Sequence, residues 1–165
     1  MTEWHLRPHE ERRLLCPSFC ALLLWHAARI RQRKLDSLLS FEEAFLVLPM
    51  VLDRQVRDQL PRSTRTSLPV WLTQNPLAKG RISMRAQLLV PYTRESLVFG
   101  GLHRFIHIEA GRLRANDSFA RPVRTLLPAT SDEVRGCVKK AEFVANWFAL
   151  TGAPSTVMAL LGVRP

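Results

Sequence analysis

Downstream of Leu15, apolar residues recur at helical spacing in short blocks, each bounded by a proline, a glycine or a hydroxyl-bearing residue. Pro17 suits the first position of a helix running from Ser18 to about Lys34, with Phe19, Leu22, Leu23, Ala27 and Ile30 on its buried face and Trp25 and His26 at the edges. Arg29, Arg31, Arg33 and Lys34 close that helix, where cations complement the helix dipole. Ser40-Phe41-Glu42-Glu43 has the form of a capping box. The helix it opens carries Ala44 to Leu48 and meets Pro49, which is expected to kink or restart it before Met50-Val51-Leu52. The segment from Asp53 to Leu60 is charged and amphipathic and stops at Pro61. A polar linker, residues 63–67, leads to a short helix through Leu68, Pro69, Trp71 and Leu72 that Asn75-Pro76 ends. A helix from about Arg81 to Val90 then uses Ile82, Met84, Leu88 and Leu89.

The stretch from Pro91 to Asp117 combines two periods. Thr93 can cap a helix with Glu95 in its first turn and Leu97, Val98 and Leu102 as its apolar face, and Gly100-Gly101 loosens the last turn. A hairpin is expected next: Phe105, Ile106 and Ile108 lead into Glu109-Ala110-Gly111, and Arg112 to Ala115 return. A helix feeding directly into a small hairpin, in a chain otherwise helical, reads as a winged-helix-like unit with the hairpin as wing. Residues 116–130 contain Pro122 and Pro128 and little periodicity, and read as a surface loop. Ser131-Asp132-Glu133 caps a last long helix whose apolar positions, from Val134 to Leu150, run wide around it and which Thr151-Gly152 ends. Asn146, among apolar neighbours there, needs a hydrogen-bond partner, for which a backbone carbonyl of the terminal segment is the candidate. Residues 155–161 suit one more short helix. The fold class is therefore mainly α: a helical domain with a winged-helix-like core and one short β-hairpin (about 105–115). Residues 1–15, with Trp4 and Leu6 as anchors, form an N-terminal arm, and 16–165 a single domain.

Charge sharpens this picture. Lys+Arg number 24 against 14 Asp+Glu, a net charge of +10, and only Lys34, Lys79, Lys139 and Lys140 are lysines. Arginine binds phosphates and carboxylates through paired donors, so a polyanion or an acidic protein surface is the expected partner. Arg94 and Arg104 lie at the two ends of the helix before the wing, and Arg112 and Arg114 on the wing's return strand. These four, with Lys139 and Lys140, are the candidate partner- or phosphate-binding residues. That helix lacks the Asn, Gln, Ser and Arg series that reads base edges, which favours docking over sequence readout.

Catalytic chemistry finds little support. Cys16, Cys20 and Cys137 are too few for a disulfide framework and fit a reducing cytoplasm. Cys16 and Cys20 with His103 and His107 have the residue types of a zinc site but not its spacing. His107-Ile108-Glu109 matches the first half of a deaminase signature whose cysteine half is absent. No spacing places a base beside a nucleophile, so a non-enzyme without cofactor or metal is expected. The apolar run from Leu14 to Trp25 follows Arg12-Arg13 like a signal sequence, but Glu3, Glu10 and Glu11 precede it and no cleavage site follows. No run reaches the roughly 18–20 apolar residues of a membrane span.

Several blocks together have a family character: Cys-Pro-Ser-Phe-Cys-Ala-Leu-Leu-Leu-Trp (16–25), Phe-Leu-Val-Leu-Pro-Met-Val-Leu (45–52), Thr-Ser-Leu-Pro-Val-Trp-Leu (66–72), Tyr-Thr-Arg-Glu-Ser-Leu-Val-Phe-Gly (92–100), Lys-Lys-Ala-Glu-Phe-Val-Ala-Asn-Trp-Phe (139–148) and the final Gly-Val-Arg-Pro. In this order, over nearly the whole chain, they resemble the middle component of bacterial three-component ABC systems, thought to defend against phages or plasmids. Asparagine would be expected where this chain has Cys16, and tryptophan where it has Leu161. The resemblance implies a non-enzymatic adaptor that couples an ABC-type ATPase of the DNA-repair or chromosome-maintenance sort to an effector protein. DNA, if contacted at all, is then contacted through the assembly. The competing reading from the residues is a stand-alone winged-helix DNA-binding transcriptional regulator.

Overall fold

Helix α1 (Pro17–Lys34) forms the centre of the molecule because its middle, from Cys20 to Ala28, is buried on nearly every side. The computed structural model describes residues 15–35 and 37–163, so the expected N-terminal arm with Trp4 and Leu6 lies, but for Leu15, outside the described residues. Strand β1 (Leu39–Ser40) follows, then α2 (Phe41–Leu52), α3 (Arg54–Gln59), α4 (Leu68–Gln74), α5 (Pro76–Leu88) and α6 (Val90–Leu102). The hairpin is β2 (Ile106–Glu109) and β3 (Arg112–Ala115); α7 (Ala120–Leu126), α8 (Asp132–Thr151) and α9 (Pro154–Leu161) complete the chain, with 3-10 turns flanking α7. Helices α8 and α6 and strand β3 pack on α1, and α2 packs on α8 and α5.

Trp25 and His26 belong to the core rather than to the edges of α1, at 1% and 7% exposure. The reason lies far along the chain. Trp25 stacks on Phe105 at 5.2 Å, which meets Phe119 edge-on, and its indole Nε1 donates to the carbonyl of Asn116 at 3.1 Å. Asn116 is a junction, since its Nδ2 also donates to the Arg104 carbonyl at 2.8 Å and its Oδ1 accepts from Ser118 N at 3.0 Å.

The capping box at Ser40 forms as expected: Glu43 N donates to Ser40 Oγ at 3.1 Å, and Ser40 N to Glu43 Oε2 at 2.9 Å. Ser40 is also a sheet residue. The sheet order is β1-β3-β2, all antiparallel, with Ser40 opposite Arg112, Leu39 opposite Leu113 and Ile106 opposite Ala115. Leu113 and Ala115 point into the core and Arg112 and Arg114 away from it, the period-two alternation of a strand covered on one face. The connection is a two-residue turn with φ of +47° at Ala110 and +69° at Gly111, the geometry that follows strand twist in a tight hairpin. The amide of Phe41 donates to the Gly111 carbonyl at 2.8 Å and ties that turn to the start of α2.

Several expectations need correction. Pro49 does not interrupt α2, which continues to Leu52; one missing amide near a helix end leaves the remaining turns intact. Helix α5 begins at Pro76, not Arg81, because Asn75-Pro76 both ends α4 and supplies the favoured proline of a first turn. Its inward residues are Ala78, Ile82 and Ala86, leaving Met84 and Leu88 exposed. Thr93 lies inside α6 rather than at its cap. The buried face of α6 is Thr93, Ser96, Leu97 and Gly100, while Val98 and Leu102 are 61% and 77% exposed. Small residues let α6 approach closely, and a Cβ on Gly100 would stand 3.2 Å from Ile106 Cδ1. The two hydroxyls bond back along the helix, Thr93 Oγ1 to Leu89 O at 3.0 Å and Ser96 Oγ to Tyr92 O at 2.7 Å, so burying them leaves no unmet donor. Residues 117–129, expected as a loop, are helical: Asn116 caps the first 3-10 turn, and Phe119, Val123 and Leu127 lean on the core. Asn146 Oδ1 is buried without a partner among the described residues; a carbonyl of the terminal segment, the expected partner, would accept from Nδ2 and leave this oxygen unmet.

Part of the arginine surplus is internal. Arg31 and Arg57 are each 6% exposed, and Arg57 spans the Val51 carbonyl, Cys137 Sγ and the Glu133 carboxylate. Asp53 caps α3 through the amides of Gln55 and Val56 while Arg81 binds its Oδ2 at 2.8 Å. No single helix among the described residues is long and apolar enough to cross a membrane.

Candidate functional site

Strand period and helix period together decide where the candidate cations stand. On β3, Arg112 lies between Ser40 on one side and Glu109 on the other, and Arg114 lies opposite His107; both are exposed. Arg104 follows α6 with φ of +56°, a left-handed conformation held by its amide on the Gly101 carbonyl and by Asn116 Nδ2 on its own carbonyl. Its side chain is exposed. Arg94 is exposed on α6, eight residues and about 12 Å along the axis before the helix ends at Leu102. None of these four arginines makes an ion pair with a described residue.

The structure does not gather them into one cluster. Arg112 lines a groove of about 880 Å³ between the turn Ala110-Gly111, Ser40 and helix α9. Arg94 lines a smaller neighbour with Phe41, Phe45 and Val90, and the two grooves share Glu42, Met158 and Val163. Arg94 and Arg112 therefore border adjoining hollows, which Arg104 and Arg114 do not line. Lys139 is exposed on α8. Lys140 is half-buried: it lies 5.3 Å over the Phe143 ring and donates to the Leu60 carbonyl at 3.4 Å, and burial lowers its pKa against the pull of Asp58. That ammonium is committed to the protein's own backbone.

The α6 surface carries a feature the pattern alone did not reveal. Arg94, Val98 and Leu102, four residues apart, form one exposed stripe. Of the three residues expected as the apolar core face, Val98 and Leu102 form the outer part of this stripe and only Leu97 is buried. A second basic feature lies elsewhere: Arg29 and Arg33 of α1 face Arg121 and Arg124 of α7 across a cleft of about 390 Å³. The signal was present as Trp25, Arg29 and Arg33 at four-residue spacing, but the opposite wall lies in the segment read as a loop.

Cysteine, histidine and carboxylate side chains do not converge. No group of three or more that could hold a metal occurs among the described residues. Cys20 is fully buried, whereas His103 and His107 are exposed. Histidine 26 is the buried exception, its Nδ1 2.9 Å from Glu142 Oε1.

Comparison with curated proteins and with solved structures gave no match. The family model described as "ABC-three component (ABC-3C) system Middle Component 3" matches residues 4–165, including the helical core, the hairpin and the three α-helices after it. The resemblance of the sequence blocks and this match agree, and the chain belongs to the family of ABC-three component system middle components.

Proposed function

We propose that this protein is a non-enzymatic adaptor that couples an ABC-type ATPase to an effector within a bacterial defence assembly, and that helix α6 with the adjoining wing is a docking surface. The observation that carries this reading is the exposed stripe Arg94, Val98, Leu102. The order α1, β1, α2, then α6, β2 and β3, with β1 on the outer side of β3, supports reading this part of the chain as a winged-helix-like unit. In such a unit the helix before the wing is the one that enters DNA. Here that helix presents a valine and a leucine, which offer nothing to phosphates and little to base edges but suit the apolar centre of a protein contact with basic residues around it. Arg94, Arg104, Arg112 and Arg114, together with Lys139, supply cations for an acidic partner surface. Family membership supports partner components in general.

The test is co-expression with the ABC-type ATPase that this reading expects in the same system. The two proteins co-purify, and a Val98→Asp/Leu102→Asp variant, folded by circular dichroism, no longer does so. Failure of the wild type to co-purify overturns the adaptor reading. A winged-helix reading of this order also favours a second function, a stand-alone DNA-binding regulator; it requires preference for one short sequence over random DNA, lost in Arg94→Ala.

A further inference from the structure

We infer that the cleft between α1 and α7 binds the phosphate backbone of nucleic acid, independently of base sequence. Its walls follow from helix period. Trp25, Arg29 and Arg33 fall on one stripe of α1, Arg121 and Arg124 lie three apart on α7, and Asp117 stands between the two helices. Four guanidinium groups thus share a space of about 390 Å³ with the single carboxylate of Asp117.

That carboxylate is already engaged. Arg29 Nε donates to Asp117 Oδ1 at 2.8 Å and its guanidinium lies 5.3 Å over the Trp25 ring, so Arg29 is held as part of the wall. Arg33, Arg121 and Arg124 are exposed and make no ion pair with a described residue. His26 also lines the cleft; its Nε2 is buried without a partner among the described residues, an unmet hydrogen-bonding capacity beside the arginines.

Like charges brought this close repel one another, and an anion relieves that repulsion. Guanidinium forks match phosphate oxygens with paired hydrogen bonds, and three cations in one open cleft with no ion pair among the described residues call for more negative charge than one carboxylate carries. Trp25 is 1% exposed, so no aromatic face is available for a base to stack on. Contact with the backbone alone remains, which is sequence-independent. The cleft lies on α1 and α7 rather than α6 and the wing, so the inference stands or falls separately from the adaptor reading.

The experiment titrates the full chain into a fluorescent random-sequence 20-base-pair duplex and a single strand of the same length between 50 and 200 mM salt. Contacts to three phosphates predict that duplex affinity falls about 40-fold over that range. The triple variant Arg33→Glu/Arg121→Glu/Arg124→Glu, with an unchanged unfolding midpoint, should bind at least about tenfold more weakly and lose about three units of salt slope. Should it fail to fold, Arg33→Gln/Arg121→Gln serves, with a loss of about two units. A folded variant that binds with wild-type affinity and slope overturns the inference. So does binding of inorganic phosphate with no binding of either nucleic acid, which would assign the cleft to a small phosphate, or equal competition by polyglutamate, which would assign it to an acidic polypeptide.

Discussion

Arg31 and Glu43 meet inside the protein, Nη1 3.1 Å from Oε1, with side chains only 8% and 1% exposed. Every polar partner around them is engaged. Arg31 also donates to the carbonyls of Ala145 and Leu38 and to Ser37 Oγ, and Glu43 Oε2 accepts the amide of Ser40. The pair thereby joins the end of α1, the approach to β1, the start of α2 and the middle of α8.

Removing one partner should be far worse than removing both, because a lone buried charge keeps its desolvation cost. Arg31→Met or Glu43→Gln is expected to lose about 3–5 kcal/mol in urea unfolding. The double variant Arg31→Met/Glu43→Leu should lie closer to wild type than either single change. Additive losses would show that the two side chains act independently.

Asp53 sets a pH dependence. Burial alone would raise its carboxyl, but the hydrogen bond from Arg81, the Val56 amide and the charges of Arg81 and Arg85 outweigh burial and hold it below the ordinary range. A folded pKa below the unfolded value of about 3.9 means the stabilisation is fully present above that value. It is lost as pH falls through the folded value. The stability gap between wild type and Asp53→Asn, about 1.5–3 kcal/mol at pH 7, should therefore narrow steadily below about pH 4 in urea titrations. A gap that stays constant with pH would contradict this.

The three thiols should separate cleanly in alkylation. Burial pushes Cys20 up to about 12 against a hydrogen bond with Ser96, and burial also raises Cys137 despite the nearby Arg57 guanidinium. At Cys16 burial is outweighed by hydrogen bonds from the Ser18 hydroxyl and the amides of Phe19 and Ser18, which lower its pKa. Thiolate is the reactive form. Brief iodoacetamide treatment of the native protein at pH 8, read by peptide mass spectrometry, should label Cys16 first and leave Cys20 and Cys137 until the chain is unfolded.

Gly100 and Gly101 should respond oppositely to alanine. A Cβ at Gly101 meets nothing within 4 Å, so Gly101→Ala should stabilise α6 by about 0.4–1 kcal/mol through the unfolded chain. At Gly100 the new methyl would press on Ile106, which is 1% exposed, and the gain should vanish or reverse. Thermal unfolding of the two variants side by side decides it.

The wing turn offers a stabilising change. Ala110 sits at φ of +47°, a conformation costing a residue with Cβ about 1–2 kcal/mol that glycine largely avoids. Ala110→Gly should raise stability by up to about 1 kcal/mol, measured in urea, without loss of the hairpin.

What could be read from the residues alone was local and periodic. The cap at Ser40, the first turn at Pro17, the cap at Ser131, the end at Gly152 and the hairpin around Gly111 depend on contacts within a few positions, so their signatures survive in one dimension. Block order over the whole length likewise made the family legible. The faces of helices were not so determined. Thr93, Ser96 and Gly100 turned inward on α6 because close packing against Ile106 rewards small residues, and back-bonding makes their hydroxyls tolerable inside. Residues 117–129 folded because Asn116, Trp25 and Phe105 meet there across 91 positions of chain, a contact no window of sequence contains. For the same reason Arg112 and Arg114 lie on the return strand as expected, whereas Arg94 lies inside α6 rather than at its start, Arg104 lies beyond its end, and the four do not form one group; the cleft of Arg29, Arg33, Arg121 and Arg124 appeared only when α7 came to lie beside α1. Periodicity determines which residues share a stripe; tertiary packing decides which stripe is covered, because that depends on the shape of what arrives against it.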